Sequence, residues 1–179
     1  MAIVFMRAVA FTQHTVQRTP IPAWAQPACG GLLVGLIALV FPHVLGVGYE
    51  ATNDALHERF ELTFLIALLV AKTAATVISL GFNFGCGVFS PSLFLGAMLG
   101  AAFGIVATHV FPNLSLGYDA YTIVGMVAVA GAVLSAPIST ILMVFELTGN
   151  YEITIAVMIP TVVATLVTQQ VFGHSFFTW

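Results

Sequence analysis

The stretch GFNFGCGVFSPSLFLGAMLGAAFG, residues 81–104, decides how this chain is read. Gly81, Gly85 and Gly87 free the approach from Cβ constraints. Ser90 is a capping residue type, and Pro91 suits a first helical position, where its missing N–H has no partner to lose. The pattern predicts a helix that starts abruptly after Phe89. The first turn of any helix leaves backbone N–H groups without internal partners, and the macrodipole places about half a positive charge there. Set inside a membrane, such an end is an anion site that needs no basic side chain. Gly87, Val88 and Phe89 would present it, with Ser90 and Pro91 supporting the helix start. Read alone, a Gly-rich start to a transmembrane helix is a plain loop more often than a site.

Working outward, composition supplies the membrane. Of 179 residues, 60 % are hydrophobic and 6 % charged, with a mean hydropathy of +1.07. A soluble domain carries about 25 % charged residues to wet its surface. This chain is therefore an all-α, multi-pass integral membrane protein whose exterior faces lipid or other apolar helices. Its basic residues, Arg7, Arg18, Arg59 and Lys72, form no patch of the kind that nucleic acid needs. Cys29 and Cys86 are expected to be free, buried thiols, and no histidine or cysteine spacing predicts a metal site or a cofactor. Arg7 follows the apolar MAIVFM instead of preceding it, which argues against a cleaved leader.

Apolar stretches of about 20 residues can cross a ~30 Å hydrocarbon layer as helices. They are expected at 28–47, 62–81, 91–111 and 153–172, with residues 1–17 as the end of a helix that begins earlier. TPIPAWAQP (19–27), with Pro20, Pro22, Pro27 and Trp24, predicts a turn at the headgroup level. YEATNDALHERFE (49–61) is the most polar segment and predicts a short amphipathic or re-entrant piece. Residues 121–147 are interrupted at Ser135-Ala136-Pro137, which predicts two helices, 121–134 and 137–147. At 1.5 Å per residue the second is only about 16 Å long, too short to span, so protein or a wet cavity must enclose it. Gly96, Gly100 and Gly104 recur every fourth residue and bare one helix face for close packing; Gly31 and Gly35 are expected to do the same.

Other polar groups read as structural. Glu146 is expected to bond to backbone or a neighbouring helix, and Lys72 to snorkel or to pair with an acid, with shaping the field at the anion site as its alternative role. His14, His43, His57, His109 and His174 share no ligand spacing. The enzyme alternative is an intramembrane hydrolase, and the sequence argues against it. His57-Glu58 lacks the second histidine of H-E-x-x-H, and Asp54 and Asp119 lie in polar connections.

The G87-V88-F89-S90-P91 run matches the G-x-F-x-P signature of ClC chloride channels and proton/chloride exchangers. PACGGLLVGLIALVFPHVLGVGYE (27–50), the Lys72 segment and SAPISTILMVFELTGNYEITIAVMIPTVVATLV (135–167) also resemble that family's segments, in order. The resemblance implies two inverted-topology halves per subunit, with tilted and broken helices, in a homodimer whose subunits each hold a pore. Residues 1–179 would be a single partial transmembrane domain, the second half, with chloride as the bound ion and the lipid bilayer and the first half as partners. The first-half G-S-G-I-P and G-[KR]-E-G-P signatures are absent from this sequence, and with them the gating and proton glutamates. Channel and exchanger therefore both stay open, as do another halide such as fluoride and a non-conducting assembly module. By resemblance the C-terminus is cytoplasmic, with Trp179 at the interface.

In many relatives a tyrosine near the start of the last helix donates its hydroxyl to the ion; aligning the glycine of FGHSFF places Phe177 there. One lost charge-assisted hydrogen bond is worth roughly 1.5–3 kcal/mol, less where water replaces it. Phe177→Tyr in the full-length protein should tighten chloride binding, by up to about tenfold for ~1.4 kcal/mol, read by calorimetric titration. Unchanged affinity would remove Phe177 from the site.

Overall fold

Proline and glycine set the helix boundaries of the computed structural model, which describes residues 1–19, 22, 25–46, 48, 52, 62–84, 87–110, 118–149 and 151–172. Expectations at Trp24, at 49–61 apart from Thr52, and at Cys86, His174, Phe177 and Trp179 lie outside these residues. Seven helices stand among those described: α1 (Ala2–Gln17), α2 (Gln26–Val40), α3 (Leu62–Gly81), α4 (Phe89–Val110), α5 (Tyr118–Leu134), α6 (Pro137–Thr148) and α7 (Tyr151–Phe172). A 3₁₀ turn, Pro42–Val44, follows α2, and there is no strand among the described residues. Three helices, α3, α4 and α7, are long and apolar enough to cross a membrane.

The expected span 28–47 is a correction. Helix α2 stops at Val40 after 15 residues, about 22 Å at 1.5 Å per residue. Pro42 lacks an N–H and disfavours helical dihedrals at the residue before it, so Phe41 turns out to φ −127° and ψ 82°. Apolar composition continues past this point while the helix does not. The break at Ser135-Ala136-Pro137 stands as expected. Ser135 is left-handed (φ 54°), and the Ala136 carbonyl accepts the first α6 bond from the Thr140 N–H at 3.1 Å. Helix α6 has 12 residues and ends at left-handed Gly149 (φ 59°), whose N–H donates to the Phe145 carbonyl.

Helices α4 and α5 meet backbone to backbone. A Cβ at Gly96 would collide with the Gly125 carbonyl oxygen, and one at Gly100 with the Tyr121 carbonyl oxygen. From the other side, a Cβ on Gly125 would lie 2.6 Å from the Gly96 oxygen and 2.7 Å from the Gly100 Cα. The glycine face expected on this helix thus packs on α5. In α2 the expectation needs correcting: Gly35 has open space, Gly31 makes ordinary contact with the Phe84 ring, and Gly30 is the crowded position, 2.7 Å from the Phe82 Cβ. Phe82 and Phe84 sit there because α3 closes with Asn83 left-handed (φ 61°) and the Phe84 N–H on the Ser79 carbonyl, folding the chain back onto α2.

Three apolar clusters fill the interior. One joins Val44 and α3 to Phe94, Met98 and Ala101 of α4. A second gathers Phe5 and Val9 of α1, Val77, Val88, Leu95 and Val133 around the α4 start. The third, Val127, Val144 and Val157, ties α5 to α6 and α7.

An alanine at Gly100 meets backbone that cannot yield like a side chain, so Gly100→Ala should destabilise the full-length protein by roughly 1–3 kcal/mol. Gly35→Ala, in open space within a helix, should be neutral or stabilising by about 0.5–1 kcal/mol. Thermal unfolding of both variants in detergent measures the contrast, and equal losses would sink the seam.

Candidate functional site

The start of α4 is one turn of helix resting on a hydrophobic floor. The Val88 carbonyl accepts the first helical bond from the Ser92 N–H at 3.1 Å, so the helix begins at Phe89. This corrects the expected roles of Ser90 and Pro91, which are the second and third helical residues instead of cap and first residue. The reason is that a proline's missing N–H costs nothing anywhere in the first turn, while burial of Val88 draws the chain in earlier. The N–H groups of Val88, Phe89 and Ser90 are consequently the donors without partners inside the helix, and Pro91 contributes none.

Side chains at this end are turned to structural work. Val88 is buried against Phe5, Val9, Val77 and Leu95. Ser92 is fully buried, and its hydroxyl donates to the Phe89 carbonyl at 2.7 Å, bracing the first turn. Gly87 is exposed, and nothing lies within 4 Å of where a Cβ would stand. The structure thus brings Gly87, Val88, Phe89, Ser90 and Pro91 together at one helix terminus; Phe177 lies outside the described residues. Sequence reasoning did not single out Ser92, although a serine after the proline is the one local signal for such a brace.

Lys72 departs from both expectations. It is 4 % exposed, and its ammonium donates to the carbonyls of Val44 at 2.7 Å and Gly46 at 2.8 Å, with Nζ 5.0 Å from the Phe94 ring centre. It neither snorkels nor pairs with an acid among the described residues, because the turn after α2 presents two carbonyls within its reach. Glu146 is also a correction: it is exposed on α6, with no described hydrogen bond, on a face with Ile138 and Leu142, which are exposed among the described residues. Cys29, expected buried, is free and exposed on α2. His43 stacks edge-on against Phe64, with ring centres 5.9 Å apart, and His109 is exposed at the end of α4.

The model of the voltage-gated chloride channel family matches residues 1–169. The chain is similar to a ClcB-like chloride channel protein of Ralstonia nicotianae, with 37 % identity over 142 residues, 79 % of this chain and 33 % of that protein. It also superposes on the crystal structure of a slow cyanobacterial Cl⁻/H⁺ antiporter, with TM-score 0.85 and 25 % identity, over 99 % of this chain and 42 % of that one. The chain therefore spans between a third and about two fifths of the relatives it matches.

If the amides and not the side chains hold the ion, Val88→Ala in the full-length protein should leave chloride affinity nearly unchanged. Its cost should fall on stability, at ~0.8 kcal/mol per buried methylene-sized group. Pro91→Gly should loosen the helix start and weaken chloride binding. Calorimetric titration of both decides, and equal losses of affinity would argue against the helix terminus as the site.

Proposed function

Because the chain belongs to the voltage-gated chloride channel family, we propose that it forms the second half of the pore domain of a chloride channel or H⁺/Cl⁻ antiporter. In this reading, chloride is held by the backbone amides of Val88, Phe89 and Ser90 at the start of α4. The observation that carries it is the division of labour at that terminus. The side chains of Val88 and Ser92 are consumed by packing and by bracing, which leaves unpartnered backbone donors on an apolar helix as the anion-attracting feature. The names of the relatives, a chloride channel protein and a Cl⁻/H⁺ antiporter, support chloride as the ion.

The other half-site comes from the first half of the full-length protein. Homodimerisation fits as well. Helix α6, too short to span, exposes Ile138 and Leu142, and α7 exposes Ile155, Ile159 and Val163. At membrane depth a partial helix needs protein around it, and a second copy would supply that cover.

The test is chloride efflux from loaded liposomes. The full-length protein should release chloride well above empty vesicles, whereas the 179-residue chain alone should not. Fluoride-selective efflux by the full-length protein would replace chloride as the ion. Selective chloride efflux by the chain alone would overturn the need for the first half.

A further inference from the structure

We propose that Lys72 is a positioning residue for the anion site, clamping the turn after α2 onto α4 so that the α4 start is held in place. This rests on the reading of the 88–90 amides as that site. The clamp has three members. The Lys72 ammonium bonds the Val44 and Gly46 carbonyls and stands over the Phe94 ring. Phe94 is 1 % exposed, one helical turn beyond Ser90. Gly48, at φ +82°, lies so close to Phe94 that a Cβ there would be 2.5 Å from Cδ2 and 2.6 Å from Cε2. The ring is thus caught between the returning backbone and the ammonium.

The clamp reaches the site through one small space. A cavity of about 180 Å³ is lined by Val44, Gly46 and Lys72 together with Pro91, and Thr76 and Ser79 are among its other lining residues. Thr76 and Ser79 give their hydroxyl protons to the Lys72 and Ala75 carbonyls, so the ammonium is the cation at this wall. Pro91 is the first residue after the free amides. Phe94 belongs to α4 and packs in one cluster with Val44, so a shift of the turn or of Phe94 is carried to the α4 start along one helical turn, and a binding site held loosely loses affinity while its groups remain present.

Calorimetric chloride titration of the full-length protein, scaled to folded protein, tests this. Lys72→Met, which keeps the stem and removes the donors, should weaken chloride by about tenfold, equivalent to ~1.4 kcal/mol. Lys72→Arg, which keeps charge and donors, should recover most of that loss; a purely global defect would not discriminate between the two. Gly48→Ala drives a methyl group into Phe94 without touching the lysine and should weaken chloride as well.

Wild-type affinity in Lys72→Met overturns the proposal. So does loss in Lys72→Met with wild-type affinity in Gly48→Ala, which would mean that the ammonium acts on the ion by charge alone. Should Lys72→Met fail to fold, Gly48→Ala and Phe94→Leu decide, and wild-type affinity in both overturns it. Absence of chloride binding by the wild-type protein, or equal losses in Val88→Ala and Pro91→Gly, would instead remove the anion site on which the proposal rests.

Discussion

The contact on which the rest of the structure depends is the seam between α4 and α5, where Gly96 and Gly100 face Gly125 without side chains between them. Lipid tails are as apolar as leucine, so two helices gain nothing in a membrane merely by hiding apolar surface. Close backbone approach substitutes dispersion contacts along the helix faces. Once α5 is fixed on α4, its far end at Leu134 sets where the chain breaks, and Val127 carries α6 and α7 through Val144 and Val157. The same α5 contributes Val129 and Val133 to the cluster under Val88. The seam thus holds both the break and the floor of the α4 terminus.

A second constraint acts on every polar group at that depth, because no water is present to satisfy it. The buried hydroxyls of Thr76, Thr161 and Thr165 turn back to carbonyls four residues earlier on their own helices. The carbonyls of Val44 and Gly46, released where α2 stops short, are taken up by Lys72. Among the described residues no buried side-chain nitrogen or oxygen lacks a partner. At the start of α4, as at every helix start, the first amides have no helical partner, and here the side chains of Val88 and Ser92 are engaged in packing and in bracing the turn.

Legibility in the sequence followed the range of the interaction. Breaks made by proline next to a small or capping residue, at Ser135-Ala136-Pro137 and at Ser90-Pro91, were readable to within two residues because their cause is local. The over-long span 28–47 arose because apolar composition is identical in a helix and in the 3₁₀ turn after it; Phe41-Pro42 was the local signal. The bare face of Gly96 and Gly100 was readable, but its partner Gly125 was not, since no periodicity says which helix lies opposite. Lys72 was misread for the same reason: its acceptors lie 28 and 26 residues away, and only the fold brings carbonyls within reach. Ser92 escaped because a serine inside a helix ordinarily carries no message. Here its hydroxyl braces the turn that presents the amides.

The placement of the lysine bears on how tightly an anion can be held. An ammonium in direct contact with chloride in a low-dielectric interior would bind the ion strongly, and a transport site must also release it. Here the ammonium has its protons directed to two carbonyls and stands over an aromatic ring. In the proposed reading, what would face the ion at the α4 start is peptide dipoles, each a fraction of a charge and fixed in direction. Fixed dipoles need no reorganisation when the ion arrives or leaves, but they work only while the helix start keeps its place. In that reading a cation used as a clamp and backbone used as the ligand would belong together: the first would supply the rigidity that makes the weakness of the second useful.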